Sequence, residues 1–180
     1  MITLPRGKDT KLWKKFWNET KKEWFKVEVL QDYSGEDSGP SLKTWLKGEK
    51  EKSIRLMKEK INSNEWVKMA GGKPFKKIRI HIVEKPYTPY LGWEIEVYKN
   101  INIPLAKEEV YLIDKNKILD LELPDGDFMI FDQKRVARNY YDKSGKVYKA
   151  DFYEEGEDIS QFLLLRGKLL KLVSRKNIIS

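Results

Sequence analysis

Cysteine is absent, which excludes a disulfide framework, a thiolate zinc site, an iron–sulfur cluster and a cysteine nucleophile. Histidine occurs once, at His81. No glycine-rich phosphate loop, dinucleotide fingerprint, H-E-x-x-H or G-x-S-x-G motif is present, so no common cofactor and no metal are expected. Long apolar runs are missing as well. The stretch from Phe162 to Leu165 falls far short of the ~20 residues that span a bilayer, and Met1 to Lys15 lacks the apolar segment of a signal peptide. A cytoplasmic protein with no membrane partner is expected. There is no internal repeat or low-complexity stretch, and the one linker-like segment, Ser34 to Ser41 (SGEDSGPS), is too short to separate domains.

What is present suits one domain over residues 1–180: the chain is 40% hydrophobic and 12% aromatic, enough to build a core. Lysine far outnumbers arginine, a bias shared by proteins of hot environments and by AT-rich genomes. The net charge of +8 is unevenly placed. Basic residues gather in Met1 to Lys26, Lys134 to Lys149 and Arg166 to Lys176, whereas Glu108 to Asp127 and Asp151 to Asp158 are acidic. Such a molecule is electrically two-faced, and its basic side can meet phosphates. Lys14, Lys15, Lys21, Lys22, Lys134, Arg135 and Arg138 are the candidate contacts, with Trp13, Trp17, Tyr140, Tyr141 and Tyr148 interleaved as stacking surfaces.

Local periodicity predicts the elements. Asp9 or Thr10 can cap a helix with Leu12, Trp13, Phe16 and Trp17 at helical spacing, ending near Glu23. Trp24 to Tyr33 reads as a strand, Ser41 can cap a helical turn, and Glu49 to Lys60 is an amphipathic helix. The period then changes from 3.6 to 2. Ile78, Ile80 and Ile82 alternate with Arg79, His81 and Val83. Trp93, Ile95 and Val97 alternate with Glu94, Glu96 and Tyr98, with Pro86 to Gly92 as the connector. Further strands are expected at Glu109 to Ile113, Asp127 to Phe131, Arg135 to Tyr141 and Lys146 to Tyr153, the last two joined by an Asp142 to Gly145 hairpin loop. Asp158 to Ser174 closes the chain as a helix. The expected class is α+β: an antiparallel sheet of about five strands, covered on one face by N-terminal helices and the C-terminal helix.

Three constellations carry possible chemistry. Pro124-Asp125 and Asp132-Gln133-Lys134 imitate the P-D and D-x-K halves of a magnesium nuclease, but only six residues separate the two aspartates, and a loop pair capping a strand suits the spacing better. Glu94 and Glu96, read on a strand, would stand about 7 Å apart on one face. Lys77, Arg79 and His81 project to one side of their strand, where a histidine beside two cations could serve as a base, or simply form an exposed polar face.

Three stretches together resemble a known family: Trp24 to Tyr33 with Trp45-Leu46-Lys47-Gly48-Glu49, then Arg79 through Pro86 with Thr88, Tyr90, Trp93 and Glu94, then Leu123-Pro124 with Asp127-Phe128 and Phe131-Asp132. They are similar to an uncharacterised domain family, abundant in actinobacteria, whose genes often lie beside helix-turn-helix regulators. The similarity runs from about Trp24 to Gly145. Where that family tends to read A-G-E this chain reads Ala106-Lys107-Glu108, and a strand that often starts with two arginines here reads Lys77-Ile78-Arg79. The resemblance implies an accessory protein of regulatory or toxin–antitoxin-like gene pairs and brings no catalytic residues with it. If its elements converge, Arg79, His81, Tyr90, Trp93, Glu94, Asp127 and Asp132 form a polar pocket around the central strands. The expected function is a non-enzymatic module contacting a helix-turn-helix regulator, another protein or nucleic acid through the basic face. A small nuclease-like hydrolase or toxin, and a small-ligand sensor, are the alternatives.

Overall fold

A computed structural model describes residues 1–36 and 39–173. Seven strands form one mixed sheet: β1 (Ile2–Pro5), β2 (Glu23–Glu28), β3 (Lys76–Val83), β4 (Glu109–Asp114), β5 (Asp127–Phe131), β6 (Arg135–Tyr141) and β7 (Val147–Tyr153). Their order is β1-β7-β6-β5-β2-β3-β4. The strands β2, β3 and β4 run parallel, while β5, β6, β7 and β1 continue the sheet antiparallel from the other side of β2.

The helices are α1 (Thr10–Glu19), α2 (Pro40–Leu46), α3 (Lys50–Glu59), α4 (Glu65–Ala70), α5 (Pro89–Val97) and α6 (Ser160–Leu172). Of these, α2, α3 and α4 fill the crossover from β2 to β3, and α5 fills the crossover from β3 to β4. Parallel neighbours need such crossovers. The all-antiparallel sheet of about five strands is therefore corrected to a seven-stranded mixed one.

The correction traces to residues 93–98, which alternate in hydrophobicity but are helical, in α5 and the residue that follows it, rather than a strand. Thr88 caps this helix, its Oγ1 accepting from the Leu91 amide at 3.0 Å, and Pro89 takes the first turn, where its missing N–H costs nothing. The buried residues Tyr90, Leu91, Glu94 and Tyr98 follow helical spacing. A π-helical segment, Tyr98–Asn102, extends α5 toward β4.

The helices also lie on both faces of the sheet, not one. Phe25, Val27, Ile78, Ile80, Ile82, Phe128 and Ile130 form the back face, where Phe162, Leu165 and Leu169 of α6 pack against them. Each such fully buried side chain contributes roughly 1.5–3 kcal/mol. The front face is apolar at one end. There Phe16 and Trp17 of α1 and Ala70 of α4 meet Trp24, Met129, Phe131, Ala137 and Phe152. Under α5 it turns polar.

Candidate functional site: a buried polar row under α5

Period-2 geometry sends Lys26 and Glu28 of β2, Arg79 and His81 of β3, and Asp127 of β5 to the front face, since Phe25, Val27, Ile78, Ile80, Ile82 and Phe128 take the back. Opposite them stand Glu94 and Tyr98, with Asn102 and Glu108 beyond. Arg79 and His81 thus share a side, as the strand period predicts, but that side is not an exposed polar face. His81 and Asp127 are 0% exposed, and Glu28, Arg79, Glu94 and Glu108 are buried too.

Arg79 sits between two carboxylates. Its Nε donates to Glu108 Oε2 at 2.7 Å and its Nη1 to Glu28 Oε1 at 2.5 Å, while its plane lies 5.6 Å from the Trp24 ring centroid. Asn102 and Trp66 also donate to Glu108. Burial pushes the Glu28 carboxyl up, but Arg79, Lys26 and His81 outweigh it and hold the group well below the usual carboxylate range. The guanidinium in turn is held above its ordinary range by Glu108 and Glu28, against burial.

His81 is bonded through both nitrogens. Nε2 lies 2.7 Å from the Leu30 carbonyl, so Nε2 carries a proton and donates it. Nδ1 lies 2.9 Å from the Tyr98 hydroxyl and 3.4 Å from Glu94 Oε2, and Tyr98 donates to Glu28 Oε2 at 2.8 Å. Burial pushes the imidazole pKa below its ordinary value, more than the Glu28 charge raises it.

Asp127 closes the row at its other end. Oδ1 accepts from the Val29 amide and the Tyr33 hydroxyl, both at 2.9 Å, and Oδ2 from the Tyr141 hydroxyl at 2.7 Å. Burial pushes its pKa up to about 6, against the pull of Lys26.

The expected pocket is thus partly assembled. Arg79, His81, Glu94 and Asp127 lie in the row, with Glu28 and Glu108 as the partners of Arg79. Tyr90 and Trp93 stand beside it in an aromatic cluster with Tyr33, Leu42 and Tyr141, Trp93 donating to Ser41 Oγ at 3.0 Å. Asp132 lies apart, five residues along the sheet from Asp127, or about 17 Å. Its carboxylate accepts from the amides of Lys21, Lys22 and Glu23 at 2.7, 2.7 and 2.9 Å, clipping the entry of β2 to the end of β5. Burial opposes ionisation there, but these amides and Arg135 hold the pKa below the ordinary value. This binding of backbone amides suits a structural clip rather than half of a magnesium site. Glu94 and Glu96, two apart on a helix, do not share one face.

Glu28, Glu108, Tyr98 and Lys26 escape the sequence reading. The alternation of Lys26 and Glu28 with Phe25 and Val27 marks those two. Glu108 sits in the Ala106-Lys107-Glu108 element, where Lys107 adopts φ +57°, the left-handed region that glycine takes without penalty.

The basic candidates divide between two ends of β6. At one end Lys15 pairs with Glu154, Lys134 with Glu155 and Arg135 with Glu19, which neutralises much of that side, while Lys14, Lys21 and Lys22 are exposed. At the other, Arg138 lies 4.6 Å and Lys149 4.2 Å from the Tyr140 ring centroid. Beside them Tyr148 is 50% exposed, its ring 6.5 Å from that of Tyr140. Tyr141 instead points inward to Asp127. Arg175 and Lys176 lie outside the described residues, as does Ser174 at the expected helix end. No helix among the described residues is long and apolar enough to cross a membrane.

Comparison with solved structures finds similarity to TrmBL2, an archaeal chromatin protein whose structure shows a novel mode of DNA binding, at 12% identity and a TM-score of 0.44. The match covers 99% of this chain and 54% of that one, so the chain spans about half the length of this neighbour. No curated protein matches. The model of a domain of unknown function (DUF6879) matches residues 11–172, nearly the whole chain, and the protein belongs to that family.

Proposed function

We propose that this protein is a non-enzymatic binding module that contacts single-stranded nucleic acid through the β6–β7 hairpin, as an accessory to a DNA-associated regulator. One observation carries the reading: Arg138 and Lys149 flank Tyr140 at 4.6 and 4.2 Å, with the half-exposed Tyr148 ring beside it. Cations interleaved with aromatic faces are what a sugar–phosphate strand with unstacked bases requires. Asp151 braces the patch by accepting from the Tyr140 hydroxyl at 2.6 Å, which holds the ring in place.

A hydrolytic role for His81 has less support. Its Nε2 is taken by the Leu30 carbonyl, and its Nδ1 faces Tyr98, Glu28 and Glu94 with no exposed surface. A concavity of about 390 Å³ lies elsewhere, between residues 120–124 and α6. Mixing purified protein with labelled single-stranded DNA and RNA at two salt concentrations tests the reading. Binding that weakens steeply with salt while the strands stay intact is the expected result. Shortened strands would replace this reading with a nuclease, and no retention at low salt would remove nucleic acid as the partner.

A further inference from the structure

The hydrogen bonds around His81 do not balance. The Leu30 carbonyl can only accept, so the imidazole proton sits on Nε2 and, in the neutral ring, Nδ1 presents a lone pair. The Tyr98 hydroxyl stands 2.9 Å from that lone pair and 2.8 Å from Glu28 Oε2, with one proton to offer two acceptors. Whichever it serves, the other faces oxygen with lone pair against lone pair. Glu94 Oε2 stands 3.4 Å from Nδ1. A cation placed between these atoms would meet all of their lone pairs.

Buried charges of both signs surround this group. Glu28, Glu94, Glu108 and Asp127 are buried against Lys26, Arg79 and Lys77, and the Lys77 ammonium is directed at the carbonyls of Lys73 and Phe75. Arg79 and Lys26 both approach Glu28 through Oε1, leaving Oε2 turned toward the histidine.

We propose that Glu28, His81 and Glu94 bind a divalent transition-metal cation of the zinc type, held between Glu28 Oε2, His81 Nδ1 and Glu94 Oε2 with the Tyr98 hydroxyl as a neighbouring donor. The spacing suits it. One donor atom from each of the three residues lies within 4.8 Å of the others. Nitrogen and oxygen ligands at about 2.1 Å from zinc and a tetrahedral angle stand about 3.4 Å apart. The Nδ1 separations are 3.4 Å to Glu94 and 3.9 Å to Glu28. The Leu30 carbonyl supplies the outer contact that fixes a ligating imidazole in the correct tautomer. An imidazole with two carboxylates favours zinc over magnesium, which prefers oxygen ligands alone. With the ligands on β2, β3 and α5, the ion would tie the first crossover strand pair to the helix above it.

The test is equilibrium dialysis of the full-length protein against zinc(II), with magnesium(II) in excess, followed by metal analysis, thermal unfolding and ¹⁵N NMR of the single imidazole. One retained zinc, a raised Tm and a shifted Nδ1 resonance are expected. Glu94→Gln, which removes one ligand and keeps the shape, should weaken zinc binding by about 10- to 100-fold or more. Should His81→Ala fail to fold, Glu94→Gln still decides. Absence of stoichiometric zinc, undiminished binding by Glu94→Gln, or an imidazole protonated at both nitrogens in the presence of zinc would each overturn the proposal. The last would show that a second proton, rather than a metal, occupies Nδ1.

Discussion

Arg79 is the residue on which the front-face packing of β2 and β3 turns. It neutralises two buried carboxylates, Glu28 and Glu108, that would otherwise be unpaired charges. Replacing it with Met keeps much of the volume and removes the charge, so Arg79→Met should cost about 3–5 kcal/mol, read from the midpoint of urea unfolding. A loss below 1 kcal/mol would show that water reaches these carboxylates. Asp132 gives a pH-dependent prediction. Its folded pKa lies below the unfolded value, so its contribution is full above the unfolded pKa and disappears as pH falls through the folded one. Asp132→Asn should therefore destabilise by about 1–3 kcal/mol at pH 7 and by progressively less in acid. An equal deficit at pH 7 and at pH 2 would contradict the ionic role. That Arg79 and His81 share a side is legible from strand alternation alone. Their burial is not, because Glu28 and Glu108 come from 51 and 29 residues away in the chain.

At the scale of elements, the strands β5 and β6 fall where alternation places them, at Asp127–Phe131 and Arg135–Tyr141. The segment from Trp93 to Tyr98 does not, because a polar helix position buried against charged strand residues leaves no apolar stripe to read. The usable signal is the Thr88-Pro89 start, a side-chain cap followed by proline. Missing it turns a parallel crossover into a hairpin and loses half the topology. The turn between the π-helical segment and β4 carries its own prediction. Lys107 has φ +57° beside the Glu108 that Arg79 needs, so Lys107→Gly should stabilise by about 1 kcal/mol despite the freer unfolded chain. Thermal unfolding checks it, and a lower Tm would mean that the lysine side chain holds the turn.

At the scale of the whole molecule, the sheet divides its labour. The parallel half buries charge beneath α5, and the antiparallel half extends β6 and β7 toward a surface of tyrosines and cations. Composition makes the excess of positive charge plain, but only the fold separates cations paired with Glu19, Glu154 and Glu155 from those stacked on Tyr140. The most direct measurement is fluorescence anisotropy of a labelled oligothymidine across a salt series, for the natural sequence and a Tyr148→Ala/Lys149→Ala variant. Two phosphate contacts, from Arg138 and Lys149, at about −0.7 each predict a slope of log affinity against log salt near −1.4. The variant should bind about 10-fold or more weakly with a shallower slope, since each lost stack is worth about 1–3 kcal/mol. Equal affinity and slope for the two proteins would contradict the assignment of nucleic-acid contact to the β6–β7 hairpin.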